Sequence, residues 1–464
     1  MEEKTMSDGT AFSATSRIEA LLDANSFVEL GAAVTARTTD FNVSAEKTPS
    51  DGVVTGHGTI DGNLVFVFAQ EPAVFGGAIG EMHAKKILSV YDRALKMGAP
   101  VIGVLDCTGV RLQESVDAVE SLGMVLAKAS EASGVIPQIM AVYGNCGGGL
   151  SVLTALADFT YMTDSAKLFF NSPSTLPGNK DVETDSAKFQ SEEAGVVDFI
   201  GSEAEVSDQI RKLVTILPGS NLEEGCIDEC TDDLNRAAAG VAASYEDAAA
   251  VFAELSDNHL FTEVKKAFAP SMTCGFIKLN GMTVGALGNT VKKDGQEMEA
   301  RLSADGLTKA TDFVKFCDAF DLPILSLVKT EGFETSVCAE KELARVAAGF
   351  TAAYASASVP KITLIAKAYT TAYLLMGASS MGADLVYALS DADMGVMEAK
   401  AAAKILDSTP SEVSAKVNGV DNAARHGYID RVLNGADARK YLIAGYEMLY
   451  TKKMSETYRK HATK

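Results

Sequence analysis

Residues 144–162 read GNCGGGLSVLTALADFTYM: three consecutive glycines run into an apolar stretch holding Leu150, Val152, Leu153, Ala155 and Leu156. Inside regular structure each glycine costs roughly 0.5–1 kcal/mol of backbone entropy against alanine. What three of them provide is backbone N–H groups with no side chain in the way. The run behind them reads as a buried helix, whose start presents unpaired N–H groups and the positive end of its dipole. Gly148 and Gly149 are thus placed to aim two amides at one oxygen, as an enolate or tetrahedral oxyanion requires. Other glycine loops need other residues. A phosphate loop needs GxxxxGK[ST], a dinucleotide site GxGxxG and a nucleophile elbow GxSxG. This stretch is GxxGGG, no lysine follows it, and Ser151 lacks the elbow frame. The plain alternative is close helix–strand packing with no ligand.

Outward from this stretch the chain repeats itself. KKILSVYDRALKMGAPVIGVLDCTGVR, SGVIPQIMAVYGNCGGGL and ALADFTYM are matched by TKATDFVKFCDAFDLPILSLVKTEGFE, SASVPKITLIAKAYTTAY and MGADLVYA. Pro100 and Pro137 stand 37 residues apart, as do Pro323 and Pro360, and the copies are offset by 223. The same offset carries Gly109 onto Gly332 and Gly148–Gly149 onto Thr371–Ala372. A spacing kept across several landmarks indicates two copies of one domain. The acidic stretch 217–233 is the natural join, giving domains 1–230 and 231–464. In each copy an alternating strand pair turns at Asp61-Gly62 or Asn280-Gly281. Helices over about 79–97 and 305–320 follow, then Pro-led buried strands, a second helix and a second strand that ends in the elbow. Strands alternating with helices predict a layered α/β fold whose strand ends carry the site.

Composition narrows the function further. The 464-residue chain is 47% apolar and carries a formal charge of −21, which argues against nucleic acid or an anionic membrane surface as partner. MEEKTMSDGT is not a secretory signal. The longest apolar run, VPKITLIAKAYTTAYLLMGASS, is interrupted by Lys361 and Lys367. Seven scattered cysteines suit a reducing cytosol. Cys226 and Cys230 share the acidic LEEGCIDECTDD, read as a solvated linker or, less simply, a metal site; elsewhere no metal site is expected.

With these residues laid out, the chain resembles the carboxyltransferase subunit of biotin-dependent acyl-CoA carboxylases and decarboxylases. RIEALLDANSFVELGA (17–32) resembles the family's opening helix, and DGVVTGHGTIDGNLVFVFAQEPAVFGGAIGEMHAKKI (51–87) its first CoA-side segment. GNCGGGLSVLTALADFTYM resembles its first oxyanion loop. AARHGYIDRVLNGADARKYL (423–442) and Lys460-His461 resemble its C-terminal signature. The resemblance implies two tandem crotonase-like domains, an acyl-CoA side followed by a biotin side. It implies a cytoplasmic homohexamer, peripheral to a membrane complex in the decarboxylase case, with each active site shared by halves of different subunits. Gly148 and Gly149 would hold the thioester oxygen of a short-chain acyl-CoA. Thr371 and Ala372 would face biotin, carried on a separate biotin carboxyl carrier protein because no acceptor lysine motif is present here. A biotin carboxylase or a membrane decarboxylase subunit would complete the complex, and carboxylation and decarboxylation remain equally open.

Around these elbows the resemblance implies substrate contacts from Phe75, Gly76, Gly77, Gly109, Gly147, Gly332, Phe333 and Leu374. Arg111 and Gln113 line the pocket in the same reading. Lys85 and Lys86 meet CoA phosphates or form a solvated helix face. His83 is a helix-surface or pocket-lining residue, and Asp106 serves the turn before Thr108-Gly109. The second half departs from the family pattern. Thr370-Thr371 stands in place of Gly-Gly, and Lys329-Thr330-Glu331-Gly332-Phe333 in place of Asp-Thr-Pro-Gly-Phe. Threonine is β-branched and tolerates positive φ poorly. A CoA-ester-binding scaffold subunit with a degenerate biotin site is therefore the alternative function.

Overall fold

The Asp61-Gly62 and Asn280-Gly281 signals both form two-residue hairpin turns in the computed structural model, which describes residues 13–41, 48–223, 227–293 and 295–452. Both residues of each turn have positive φ, 48° and 85° in the first, 53° and 77° in the second. That pairing matches the twist of the flanking strands. The chain divides into two compact units, Met1–Thr215 and Ile216–Lys464.

In the first unit α1 (Ala14–Leu21) and β1 (Val28–Leu30) precede the hairpin of β2 (Val53–Ile60) and β3 (Asn63–Gln70). Next come α2 (Glu81–Met97), β4 (Val101–Cys107), α3 (Val116–Ala132) and β5 (Gln138–Gly147). α4 (Ser151–Leu156), β6 (Phe159–Thr163), β7 (Lys167–Phe169), β8 (Phe199–Gly201) and α5 (Glu203–Ile216) follow. The sheet runs β1-β2-β3-β4-β5-β6-β8, with β7 on the far end of β5. It is antiparallel up to β3 and parallel beyond. Val101, Ile102, Val104 and Leu105 of β4 are buried, and α2 and α3 add Ile87, Val90, Tyr91, Leu122 and Val125 to the core. A parallel strand covered on both faces needs such a continuous apolar run.

The second unit holds β9 (Phe261–Val264), β10 (Met272–Leu279), β11 (Met282–Asn289), α6 (Ala304–Ala319), β12 (Ile324–Thr330) and α7 (Leu343–Ser356). It continues with β13 (Lys361–Tyr369), α8 (Ala372–Leu375), β14 (Leu385–Gly395), β15 (Arg431–Leu433) and α9 (Ala438–Leu449). Its sheet runs β15-β14-β13-β12-β11-β10-β9. The two ladders share one register: Val101 faces Gln138, and Ile324 faces Lys361. Each then bulges. In the first unit Asp106 opposes three residues before pairing resumes at Cys107/Cys146; in the second Lys329 opposes two before Thr330/Ala368. The second bulge is one residue shorter, so beyond it the copies are offset by 222.

No helix among the described residues is long and apolar enough to cross a membrane. Cys226 and the Lys460-His461 pair lie outside the described residues.

Candidate active site

β5 delivers the triple glycine to the end of the first sheet. Buried Gly147 pairs with Phe169 of β7, and a Cβ there would lie 2.5 Å from that ring. Gly148 turns the chain at φ +63°, with nothing within 4 Å of where its Cβ would stand. Gly148–Leu150 then forms one 3₁₀ turn leading into α4. The first N–H groups of such a turn have no intrahelical acceptor. Among the described residues neither Gly148 nor Gly149 donates to a loop carbonyl. Gly149 is exposed and Gly148 half-buried. Such a pair of amides is able to hold a developing negative oxygen, and one such donor is worth about 2.7–4 kcal/mol in a transition state.

The neighbouring loop is laced to the turn after β4. Cys107 Sγ accepts the Gly109 N–H and donates to the Gly109 carbonyl, both at 3.2 Å. Ile79 N–H donates to Gly109 O (2.9 Å), Arg111 N–H to Ile79 O (2.8 Å) and Thr108 N–H to Gly76 O (3.0 Å). Phe75, Gly76 and Gly77 all have positive φ (51°, 64° and 69°), and a Cβ on Gly77 would sit 2.1 Å from Asp106 O. The Phe75 ring is partly exposed, with the Arg111 guanidinium 5.3 Å from its centre.

Three charged or titratable residues stand elsewhere than expected. Arg111 is sealed from solvent: Nη1 donates to Asp51 Oδ1 (2.5 Å) and Glu114 Oε1 (2.9 Å), and Nη2 to Ala78 O (3.0 Å). Its charge is consumed by two buried carboxylates, so it positions the loop and does not meet substrate. The second oxygens of those carboxylates accept the N–H groups of His83 and Glu81, each at 2.7 Å. His83 is wholly buried, neither on the surface nor lining a pocket. Its Nδ1 lies 3.0 Å from Asp51 O and its Nε2 3.3 Å from Gln70 Nε2, which a neutral ring satisfies as donor and acceptor. Burial, reinforced by the Arg111 charge, drives its pKa down to about 3. Lys86 is held by the carbonyls of Ser50 and Val53 and the Ser50 hydroxyl, and burial brings it down to about 8. Lys85 alone of the pair projects outward, 2.7 Å from Glu81. Apart from Glu114, the partners of Arg111 and Lys86 lie tens of residues upstream, so residue type alone gave no signal of their burial.

The second elbow is built alike up to its last step. Thr330 Oγ1 accepts the Gly332 N–H (3.2 Å) and donates to Gly332 O (3.1 Å), as Cys107 does for Gly109. Phe333 is half-buried and pairs with Leu302. After β13 the left-handed residue is Thr370, at φ +61°. For a residue with a Cβ that conformation costs about 1–2 kcal/mol. The shorter bulge thus aligns Gly148–Gly149 with Thr370–Thr371, correcting the match to Thr371–Ala372 that the 223 offset implies. Thr370 N–H donates to Gly395 O (3.2 Å) and Ala372 N–H to Thr370 Oγ1 (3.2 Å), while Ala372 itself is buried. Ala372 is therefore not an available oxyanion donor. Exposed Thr371 keeps an N–H without a loop acceptor among the described residues, and Leu374 of α8 is 38% exposed.

Two units of hairpin, parallel ladder and elbow define a duplicated crotonase-like fold, and its first elbow carries two amides without a loop acceptor among the described residues. Residues 8–463 match the carboxyl transferase domain family. The chain is similar to methylmalonyl-CoA decarboxylase subunit alpha of Veillonella parvula, 35% identical over 97% of this chain and 92% of that one. It is also similar to the propionyl-CoA carboxylase beta chain of Roseobacter denitrificans, 34% identical over the same shares. The solved transcarboxylase 12S, a hexamer with hydrolysed methylmalonyl-coenzyme A bound, superposes with a TM-score of 0.90 at 32% identity, covering 97% of this chain and 92% of its own. The chain belongs to the carboxyl transferase domain family. It is an enzyme, and carboxyl transfer between an acyl-CoA and biotin fits its two-elbow plan.

Proposed function

We propose that this chain transfers carboxylate between a short-chain acyl-CoA, of the acetyl-, propionyl- or methylmalonyl-CoA type, and biotin carried on a separate protein. The supporting observation is the pair of open amides at Gly148 and Gly149. In the decarboxylating direction the bond between the α-carbon and the carboxyl group breaks, and its electron pair moves toward the thioester carbonyl. The Gly148 and Gly149 N–H groups receive that oxygen as charge gathers on it. Gly109, Phe75 and Gly76 flank the thioester, and outward-facing Lys85 meets the phosphates. Biotin supplies the nitrogen that takes or gives the carboxyl group, and the Thr371 N–H would hold its oxygen beside Gly332 and Leu374. The reading extends to a cytoplasmic homohexamer served by a biotin carboxyl carrier protein, with a biotin carboxylase or a membrane decarboxylase subunit as the further partner.

The test is CO2 release from malonyl- or methylmalonyl-CoA with and without biotin or a biotinylated carrier. Release that requires both components supports transfer. The two engaged amides at Thr370 and Ala372 favour a second reading, a CoA-ester-binding scaffold subunit with a degenerate biotin site. Saturable binding of CoA esters with no carboxyl exchange under any carrier supports that reading and overturns the first.

A further inference from the structure

Asp106, at first sight a turn residue, sits at the one point where β4 is opposed by three residues of β5. A bulge leaves amides of the longer strand outside the ladder. Asp106 Oδ1 accepts the Asn145 N–H at 3.3 Å, three residues before Gly148. The carboxylate also lies flat against the chain at Gly144, where a Cβ would be 2.0 Å from the same oxygen. Its other oxygen takes Arg17 Nη1 at 3.0 Å, and Arg17 Nη2 reaches Glu203 at 2.9 Å. The Arg17 guanidinium lies 5.3 Å from the centre of the Tyr143 ring, and Tyr143 in turn is fixed by Ser207 at 2.9 Å. All three bulged residues, Tyr143, Gly144 and Asn145, therefore touch this ion pair. Residues from α1, β4, β5 and α5 converge there. At the corresponding strand end of the second unit stand Lys329 and Lys367, each paired with glutamates, and the bulge is shorter.

From this we infer that the Arg17–Asp106 pair is the positioning device of the first elbow, fixing the bulge so that the Gly148 and Gly149 amides converge on one oxygen. The inference rests on the transfer reading and adds residues that touch neither substrate nor cofactor. A misplacement of reacting groups by about 1 Å costs on the order of 10²-fold in rate. Removing either partner should accordingly lower turnover and leave CoA held as before, because CoA itself has no thioester oxygen.

The experiment compares wild-type protein with Asp106→Asn, Arg17→Gln and the double variant. It records kcat and KM for biotin-dependent CO2 release from malonyl-CoA, the Kd of free CoA by calorimetry, and the thermal midpoint. The expected result is a kcat lowered about 10- to 100-fold in each single variant, with CoA Kd within threefold of wild type. The double variant should be no slower than the slower single one, since both residues act through one bulge. Equal kcat in wild type and both single variants overturns the positioning role alone. Loss of kcat in step with loss of CoA binding and of folded protein overturns it as well, reducing the pair to a structural ion bridge. A wild type without CO2 release overturns the transfer reading and, with it, this inference.

Discussion

The two elbows of this molecule start from the same backbone plan and finish differently. In the first, a glycine occupies the left-handed position at φ +63° and two successive amides have no loop acceptor among the described residues. In the second, a threonine occupies it at φ +61°, its own N–H donated to Gly395 and its hydroxyl taken by the Ala372 amide. The same backbone conformation thus accompanies two amides without a loop acceptor in one elbow and one in the other. The lesson is that this conformation does not by itself fix donor availability: a neighbouring carbonyl, here that of Gly395, engages the amide that Gly148 leaves free of any loop acceptor among the described residues.

The largest expected effect concerns what keeps the first elbow's surroundings rigid. Arg111 is buried with Asp51 and Glu114, whereas the second unit has Glu334, hydrogen-bonded to Ser336 near the surface, at the corresponding position. Replacing Arg111 with alanine leaves two carboxylates buried without their counter-charge, and removing one partner of a buried pair costs about 3–5 kcal/mol. Urea unfolding of Arg111→Ala should show a loss of that size. A loss below about 1 kcal/mol would mean that the cluster is open to water and that the two units are equally loose here.

Next comes Gly148→Val. Valine at φ +63° is strained, and its side chain fills the space beside the amides, so at least one oxyanion donor is lost. The kcat of CO2 release should fall about 10²–10³-fold or more, with CoA still bound. Undiminished release would move the chemistry away from the first elbow.

A smaller, pH-dependent difference follows from His83. Its folded pKa of about 3 lies below the unfolded value near 6.5. Between these values the unfolded chain holds the extra proton, so stability falls as pH drops, by up to about 1.4 kcal/mol per unit for this one group. Thermal midpoints from pH 6.5 to 5 should decline in the wild type, and more gently in His83→Gln, which keeps polar contacts without titrating. Identical slopes would mean that His83 does not titrate with unfolding.

Much of this architecture was legible in the sequence, and the failures have definite causes. The hairpins were carried by Asp-Gly and Asn-Gly, whose small or absent side chains suit positive φ. The repeat was carried by prolines at strand starts, where registers 101/138 and 324/361 coincide. The offset failed only past the bulge, because an extra unpaired residue is a backbone event with no residue type to announce it. Thr370-Thr371 was legible as a departure, yet not that Ala372 would lose its amide to a hydroxyl two residues earlier. Arg17 escaped notice because its role depends on Asp106, 89 residues along the chain.

The smallest effect tests the contrast at its source. Thr370→Gly removes left-handed strain of about 1–2 kcal/mol. Glycine gives back about 0.5–1 kcal/mol through the greater freedom of the unfolded chain. The Thr370 hydroxyl's bond to the N–H of buried Ala372 is lost as well, and an unmet buried donor costs about 1–3 kcal/mol. The variant should therefore be less stable than wild type by about 1 kcal/mol, read as a fall in the urea midpoint at unchanged slope. The reciprocal Gly148→Ala should lose about 1 kcal/mol too, since it introduces the left-handed strain without any hydroxyl to engage an amide. Losses in both would show each elbow fitted to the residue at its left-handed position. If Thr370→Gly instead stabilises, the strain outweighs the hydroxyl bond, and the second elbow is a filled-in copy of the first.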